Sequence, residues 1–206
     1  MTNLLCCCII IIEHKFYNFW EGCTILEEFI NAIKSKNKQN VSSKKWKNWI
    51  AQIYDIKLCE DCRKQHGKIF PIDEILLPMH LYCRCVVEPL RAIVAGYVTS
   101  KGTAGADYWL KNYGKLPDDY ITKTEAKKYG WQSQKGNLSI IAPGKTIGGD
   151  IYFNRDGHLP SSVGRIWYEA DINYENGYRN PVRLVYSNDG LIFVTYDHYE
   201  TFMEVI

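Results

Sequence analysis

No cysteine occurs after residue 85: all eight (Cys6, Cys7, Cys8, Cys23, Cys59, Cys62, Cys83 and Cys85) lie in the first half. The C-terminal half therefore has to fold without disulfides or thiolate-bound metal. Long apolar runs are also missing. The longest near the start, LLCCCIIII, is nine residues, well short of the roughly 20 needed to span a bilayer as a helix. It has no basic n-region ahead of it and no small-residue cleavage site behind it, which makes it a poor signal peptide. It reads as a short buried strand, or as a consequence of where the chain was taken to begin. A general basic surplus is absent from the second half. Residues 103–206 carry 11 Lys+Arg against 13 Asp+Glu, a net of −2, whereas residues 1–102 carry 14 against 10, a net of +4. Any anionic partner of the second half must be held by a local cluster of cations and not by the overall field. No glycine-rich phosphate loop is present either, because GKTIGGD lacks the required spacing. It reads as a loop entering a strand.

What is present divides the 206 residues into unequal parts. Residues 1–45 form an N-terminal segment. Phe19, Trp20, Cys23, Leu26, Phe29, Ile30 and Ile33 recur at helical spacing there, and KSKNKQNVSSKK (34–45) reads as a basic polar linker. Residues 46–90 are a Cys-rich module. Cys59-x-x-Cys62 is followed, after twenty intervening residues, by Cys83 within His80-x-x-Cys83-x-Cys85. Two ligand pairs so separated could clamp one tetrahedral zinc. Disulfides and free thiols are the alternatives. RAIVAGYVTSKGTA (91–104) reads as a hinge-like linker, and residues 105–206 as a second domain.

The second domain opens with helices and continues as strands. DYWLKNY (107–113) is a short amphipathic helix stopped near Gly114 and Pro117. ITKTEAKKYGW holds another, with Thr122 as N-cap and Glu125 three residues on, a capping box. Its first turn carries Lys123, beside a helix N-terminus suited to an anion. From Thr146 onward, TIGGDIYF, RIWYEADI, VRLVY, LIFVTY and FMEV are β runs separated by the turn signals NRDG, YENG and SNDG. Helices followed by a strand meander give an α+β class, with N-terminal helices packed on a multi-stranded antiparallel sheet. Alternation puts Trp167, Glu169 and Asp171 on one side of their strand.

Glu169 and His198 are an acid–base pair of the kind that can act on a hydroxyl and a leaving oxygen. Lys123, Arg179 and Arg183 could hold a phosphate between them. Asp150, Asp171 and Asp197 read as structural partners of the arginines, and Trp131 and Trp167 as core. No carboxylate cluster suited to two-metal nuclease chemistry is evident.

From about Gly105 to the C-terminus these blocks resemble the barnase family of small bacterial ribonucleases. The resemblance rests on ITKTEA, FNRDG, WYEADINY, GYRN and DHY. It implies Glu169 as general base and His198 as general acid. Lys123, Arg179 and Arg183 become the phosphate and transition-state cations, Asn154 and Arg155 the guanine-binding loop, and Tyr199 the tyrosine beside the acid. Phe153 and Asp156 belong to the same loop but depart from the family, where a small residue and a longer glutamate are usual. Gly190 and Gly114 also depart, replacing a tryptophan and a helix-end histidine. The resemblance further implies single-stranded RNA as substrate, cleavage after guanosine through a 2′,3′-cyclic phosphate, no cofactor for catalysis, and a small acidic barstar-like inhibitor as partner.

Residues 46–90 are similar to the end of phage head morphogenesis proteins of the minor-head type. The resemblance is carried by the tryptophan-rich start, Asp55-x-Lys57-x-Cys59-x-x-Cys62, Gly67-Lys68 and His80-x-x-Cys83-Arg84-Cys85. It implies packaging or delivery. The combined expectation is a toxin domain, monomeric and without a membrane span, secreted or delivered out of the producing cell to act in a target cytoplasm. The alternative is a catalytically inactive structural or interaction protein related to phage heads.

Overall fold

The computed structural model describes residues 41–54 and 57–206, so the expectations for the apolar N-terminal run and the helix over 19–33 lie outside the described residues. Nine strands are described: β1 (Val41–Ile50), β2 (Ile69–Pro71), β3 (Val86–Ile93), β4 (Tyr120–Ile121), β5 (Thr146–Tyr152), β6 (Trp167–Asp171), β7 (Arg183–Ser187), β8 (Ile192–Thr195) and β9 (Met203–Val205). The helices are α1 (Glu60–Gln65), α2 (Ala106–Tyr113), α3 (Lys123–Lys128) and α4 (Leu138–Ile141). All strands join one sheet in the order β2-β1-β3-β9-β8-β7-β6-β5-β4. Pairing is antiparallel except at β3–β9 and β4–β5. The α+β class with a mainly antiparallel sheet is as the sequence implies.

Local chemistry explains the helix limits. Thr122 accepts from Glu125 N while the Glu125 carboxylate takes Thr122 N, so the capping box is complete. Helix α2 ends at Gly114 in the left-handed region, φ 69°, which glycine adopts without a Cβ clash. The strands then sort their side chains by alternation. Ala170, Ile172, Leu184 and Val194 point to one face, where Ala106 and Leu110 of α2 cover them. Trp167, Val185 and Phe193 point to the other, packed with Leu159 and Phe202. Trp131 is buried beside Ala126 and Leu138 in a third cluster. Helix α2 takes one face of the central strands and leaves the opposite face, with Glu169, for a site.

Two boundaries differ from the sequence expectation. Strand β1 starts at Val41, inside the stretch read as a linker, because Val41 and Ser42 find partners in Ala92 and Arg91. Strand β3 runs past residue 90, and Ala92 and Ile93 pair with Glu204 and Val205. The hinge expected over 91–104 is also tied down. The carboxylate of Asp107, fully buried, accepts from Gly96 N (2.6 Å), Val98 N (3.1 Å) and Thr99 Oγ1 (3.0 Å). Hinge-like small residues are there, but their amides are bonded and Ile93 and Val98 belong to the core. Among the described residues, no helix is long and apolar enough to cross a membrane.

Candidate active site

Glycine chemistry in β5 sets the site's register. Gly148 must be glycine, since a Cβ there would stand 2.5 Å from the Tyr120 ring and 2.9 Å from Ala170 Cβ. Gly149 follows at φ 90°, and the pairing slips by one residue between Gly148 and Asp150. The two glycines are thus a β-bulge within the strand read over TIGGDIYF, and the loop read for GKTIGGD ends before Thr146. The slip sets Asp150 opposite Glu169. Asp150 then reaches the start of α3 and accepts from Lys123 N at 2.9 Å, fixing that helix end beside the central strand.

Glu169 is buried, yet it is ionised. Burial by itself would push its carboxyl up. Hydrogen bonds from Lys123 Nζ and Tyr199 OH, with the charges of Lys123 and Arg179, outweigh that and hold it below its ordinary value. Tyr199 is the converse: burial, then its bond to Glu169, push the phenol far up, so it stays protonated and donates. Its ring stacks on Tyr152 at 4.9 Å. Burial also raises the Tyr152 hydroxyl, to about 12.

Asp171, two residues along the same face, pins both arginines. Arg179 meets it through Nε (2.5 Å) and Nη2 (2.6 Å). Arg183 Nε lies 2.9 Å away as an ion pair, without hydrogen-bond geometry, while Arg183 Nη1 donates to the Val182 carbonyl at 2.7 Å. Of the three aspartates expected to hold arginines, only Asp171 does. Asp197 instead ties the turn after β8, accepting from Thr195 Oγ1 (2.9 Å), Thr201 N (2.9 Å) and Thr201 Oγ1 (2.6 Å). That turn carries His198 and Tyr199 at φ 58° and 77°, a left-handed pair that costs about 1–2 kcal/mol per residue and that the Asp197 bonds, with Tyr199 N on Thr195 Oγ1 (2.9 Å), keep in place. His198 is exposed at its tip.

Lys123, Glu169, His198, Tyr199 and the loop Phe153, Asn154, Arg155 and Asp156 all line one cleft of about 690 Å³. Arg179 and Arg183 are not in its described lining. The charge of Arg179 acts on Glu169, and the charges of both arginines act on Tyr199. In the loop, Asn154 sits at φ 45°, and its amide clasps both backbone groups of Leu159 (Leu159 N to Oδ1 3.0 Å, Nδ2 to Leu159 O 2.8 Å). Arg155 lies 5.6 Å from the Phe153 ring. Such a cleft offers a base, an acid, a cation and exposed aromatic surface to an elongated anion.

Sequence reasoning missed Tyr152, His158 and Glu200, which also line the cleft. His158 Nδ1 is 3.1 Å from the Tyr199 carbonyl, and the His158 carbonyl accepts from Ile69 N at 2.8 Å. One signal was available: besides His198, His158 is the sole histidine of the second half. Away from the cleft, His80 Nε2 lies 3.2 Å from Cys59 Sγ and 3.1 Å from Cys62 Sγ. Cys62 Sγ lies 3.8 Å from Cys83 Sγ, and Cys85 completes a second group with Cys62 and Cys83.

The fold and cleft define an α+β protein with an acid–base pair on an open sheet face. A family model described as ribonuclease matches residues 103–206. A ribonuclease of Heyndrickxia coagulans is 58% identical over 100 residues, covering 48% of this chain and 91% of that protein. Ribonucleases of Bacillus intermedius and Bacillus pumilus are each 58% identical over 100 residues, covering 48% of this chain and 61% of theirs. The chain belongs to the ribonuclease family.

Proposed function

We propose that this chain is an endoribonuclease that cleaves single-stranded RNA after guanosine without a catalytic metal. The observation that carries the reading is one cleft holding an ionised Glu169, His198 and Lys123 side by side. Glu169 takes the proton of a ribose 2′-hydroxyl, and the 2′-oxygen attacks the adjacent phosphorus. The bond from phosphorus to the 5′-oxygen breaks, and His198 gives that oxygen a proton. The product is a 2′,3′-cyclic phosphate, which water opens with the two roles reversed. Lys123 faces the charge that builds on the phosphoryl oxygens, and Arg179 and Arg183 add positive potential. A well-placed charge of this kind contributes about 3–4 kcal/mol. Phe153, Asn154, Arg155 and Asp156 form the base-recognition loop, and Tyr199 hands a proton bond to Glu169 while presenting a ring to the substrate. We further infer a secreted or delivered toxin, with the minor-head-like segment serving delivery and a barstar-like acidic protein protecting the producer.

The test is cleavage of a short RNA containing one guanosine, in EDTA, by the full chain and its Glu169→Ala and His198→Ala forms. A cyclic phosphate after G, with the rate lowered by about 10²–10⁴-fold in each variant, supports the reading. No cleavage by folded wild-type protein overturns it and leaves a binding protein. Cleavage at every base keeps the mechanism and removes the guanosine preference.

A further inference from the structure

We propose that Cys59, Cys62, His80 and Cys83 form a closed structural zinc site in the module that precedes the ribonuclease domain. Four observations on separate parts of the chain converge on it. Cys59 is the N-cap of α1, and its Sγ accepts from Cys62 N at 3.4 Å, so a sulfur carrying negative charge already has a backbone donor. Cys62, 1% exposed, stands at the centre, common to both groups of ligand atoms. Its Sγ lies 3.8 Å from that of Cys83. That is the edge of a tetrahedron with Zn–S bonds of about 2.3 Å, and nearly twice the roughly 2.05 Å of a disulfide. His80 Nδ1 bonds the Leu81 carbonyl at 2.8 Å. As carbonyls only accept, the proton sits on Nδ1 and the Nε2 lone pair faces the two sulfurs of Cys59 and Cys62, the arrangement in which a carbonyl orients a metal-bound imidazole.

The loop chemistry fits the same set. Cys83 N bonds the His80 carbonyl at 3.1 Å, a turn that brings residues 80 and 83 to one side. Cys85 lies with Cys62, Trp49 and Ala51 in the module's apolar cluster and with Cys62 and Cys83 in the second ligand group; the turn from His80 favours Cys83 as the fourth ligand. The other described histidine of the module, His66, is used elsewhere, accepting from Ala51 N at 3.1 Å. With Cys62 joining Cys59 and His80 to Cys83, every position of a tetrahedral ion would be filled by protein, which is the mark of a structural and not a catalytic zinc. The site also meets a need. The module's own apolar cluster is small, and units of that size commonly require a metal or cross-links to fold. Thiolates select zinc over magnesium or calcium.

The experiment uses the full chain, purified with a reductant and without added metal. The expected result is one equivalent of zinc by elemental analysis. Replacement by cobalt should give the intense visible bands of a tetrahedral ion and a sulfur-to-metal charge-transfer band. Because Cys62→Ser could unfold the module, His80→Ala is the decisive variant: its side chain is exposed, and it should lose zinc affinity by about 10-fold or more. Cys85→Ser should keep the full equivalent. A folded, metal-free chain that takes up no zinc overturns the site, as does a Cys62–Cys83 disulfide found by mass spectrometry. Equal zinc affinity of wild type and His80→Ala in competition with a chelator overturns it too. Loss in Cys85→Ser with retention in Cys83→Ser overturns the ligand set.

Discussion

Two carboxylates on one face of β6, two residues apart, have opposite duties, and their neighbours decide which. Glu169 is held ionised by Lys123 and Tyr199 on the open side. Asp171 is 1% exposed and committed to Arg179 and Arg183. In the proposed role of base Glu169 works only when deprotonated, so its lowered value is expected to extend activity to pH below its ordinary 4.5. Replacing Lys123 with Met removes the strongest of the bonds that hold Glu169 ionised. The acidic limb of the kcat/KM–pH profile should move to higher pH, and a limb that stays put would mean that Lys123 does not tune Glu169. The linkage has a matching sign: a depressed folded value adds stability that is present above 4.5 and is lost as pH falls through the folded value. At Asp171 the expected effect is structural. Asp171→Asn leaves two cations without their counter-charge, one of them 3% exposed, and should cost about 3–5 kcal/mol in urea unfolding. A loss under about 1 kcal/mol would show that water or the Asn180 and Val182 carbonyls suffice for the arginines.

Among the elements, the pairing of β3 with β9 changes where the ribonuclease domain begins. The family match starts at residue 103, but Ile93 and Val98 are in the main core, Ile206 N bonds Ile93 O at 2.9 Å and Ala95 N bonds Ile206 O at 2.8 Å. Asp107 depends on three donors from residues 96–99. A fragment of residues 93–206 should therefore be more stable than one of residues 103–206. The difference should be about 2 kcal/mol or more, since hydrogen bonds to a charged group contribute about 1.5–3 kcal/mol each, or on the order of 10 °C in melting temperature. Equal melting temperatures would mean that Asp107 finds other partners in the shorter fragment.

For the molecule as a whole, charge is local. A half with a net of −2 can attract RNA only through the few cations at the cleft. Binding of a short single strand should then weaken with salt along a log–log slope of about −2, as expected for two or three neutralised phosphates. A much steeper slope would point to cations of the preceding module joining the interface. The sequence by itself determined the helix caps, the β runs and the candidate site list, because each depends on neighbours a few residues away: Thr122 with Glu125, the alternation of Trp167, Glu169 and Asp171, the turns at NRDG and SNDG. It did not determine that Gly148 and Gly149 form a bulge, or that Asp197 ties threonines and not arginines. Nor did it show that Ala92 and Ile93 extend the sheet beyond its C-terminal strand. The strand outcomes depend on which backbone groups meet across about 15 to 110 residues of chain, and Asp197, though its threonines are near in sequence, has its partners chosen by the turn that the surrounding strands hold; only tertiary packing selects among the partners that local chemistry leaves open.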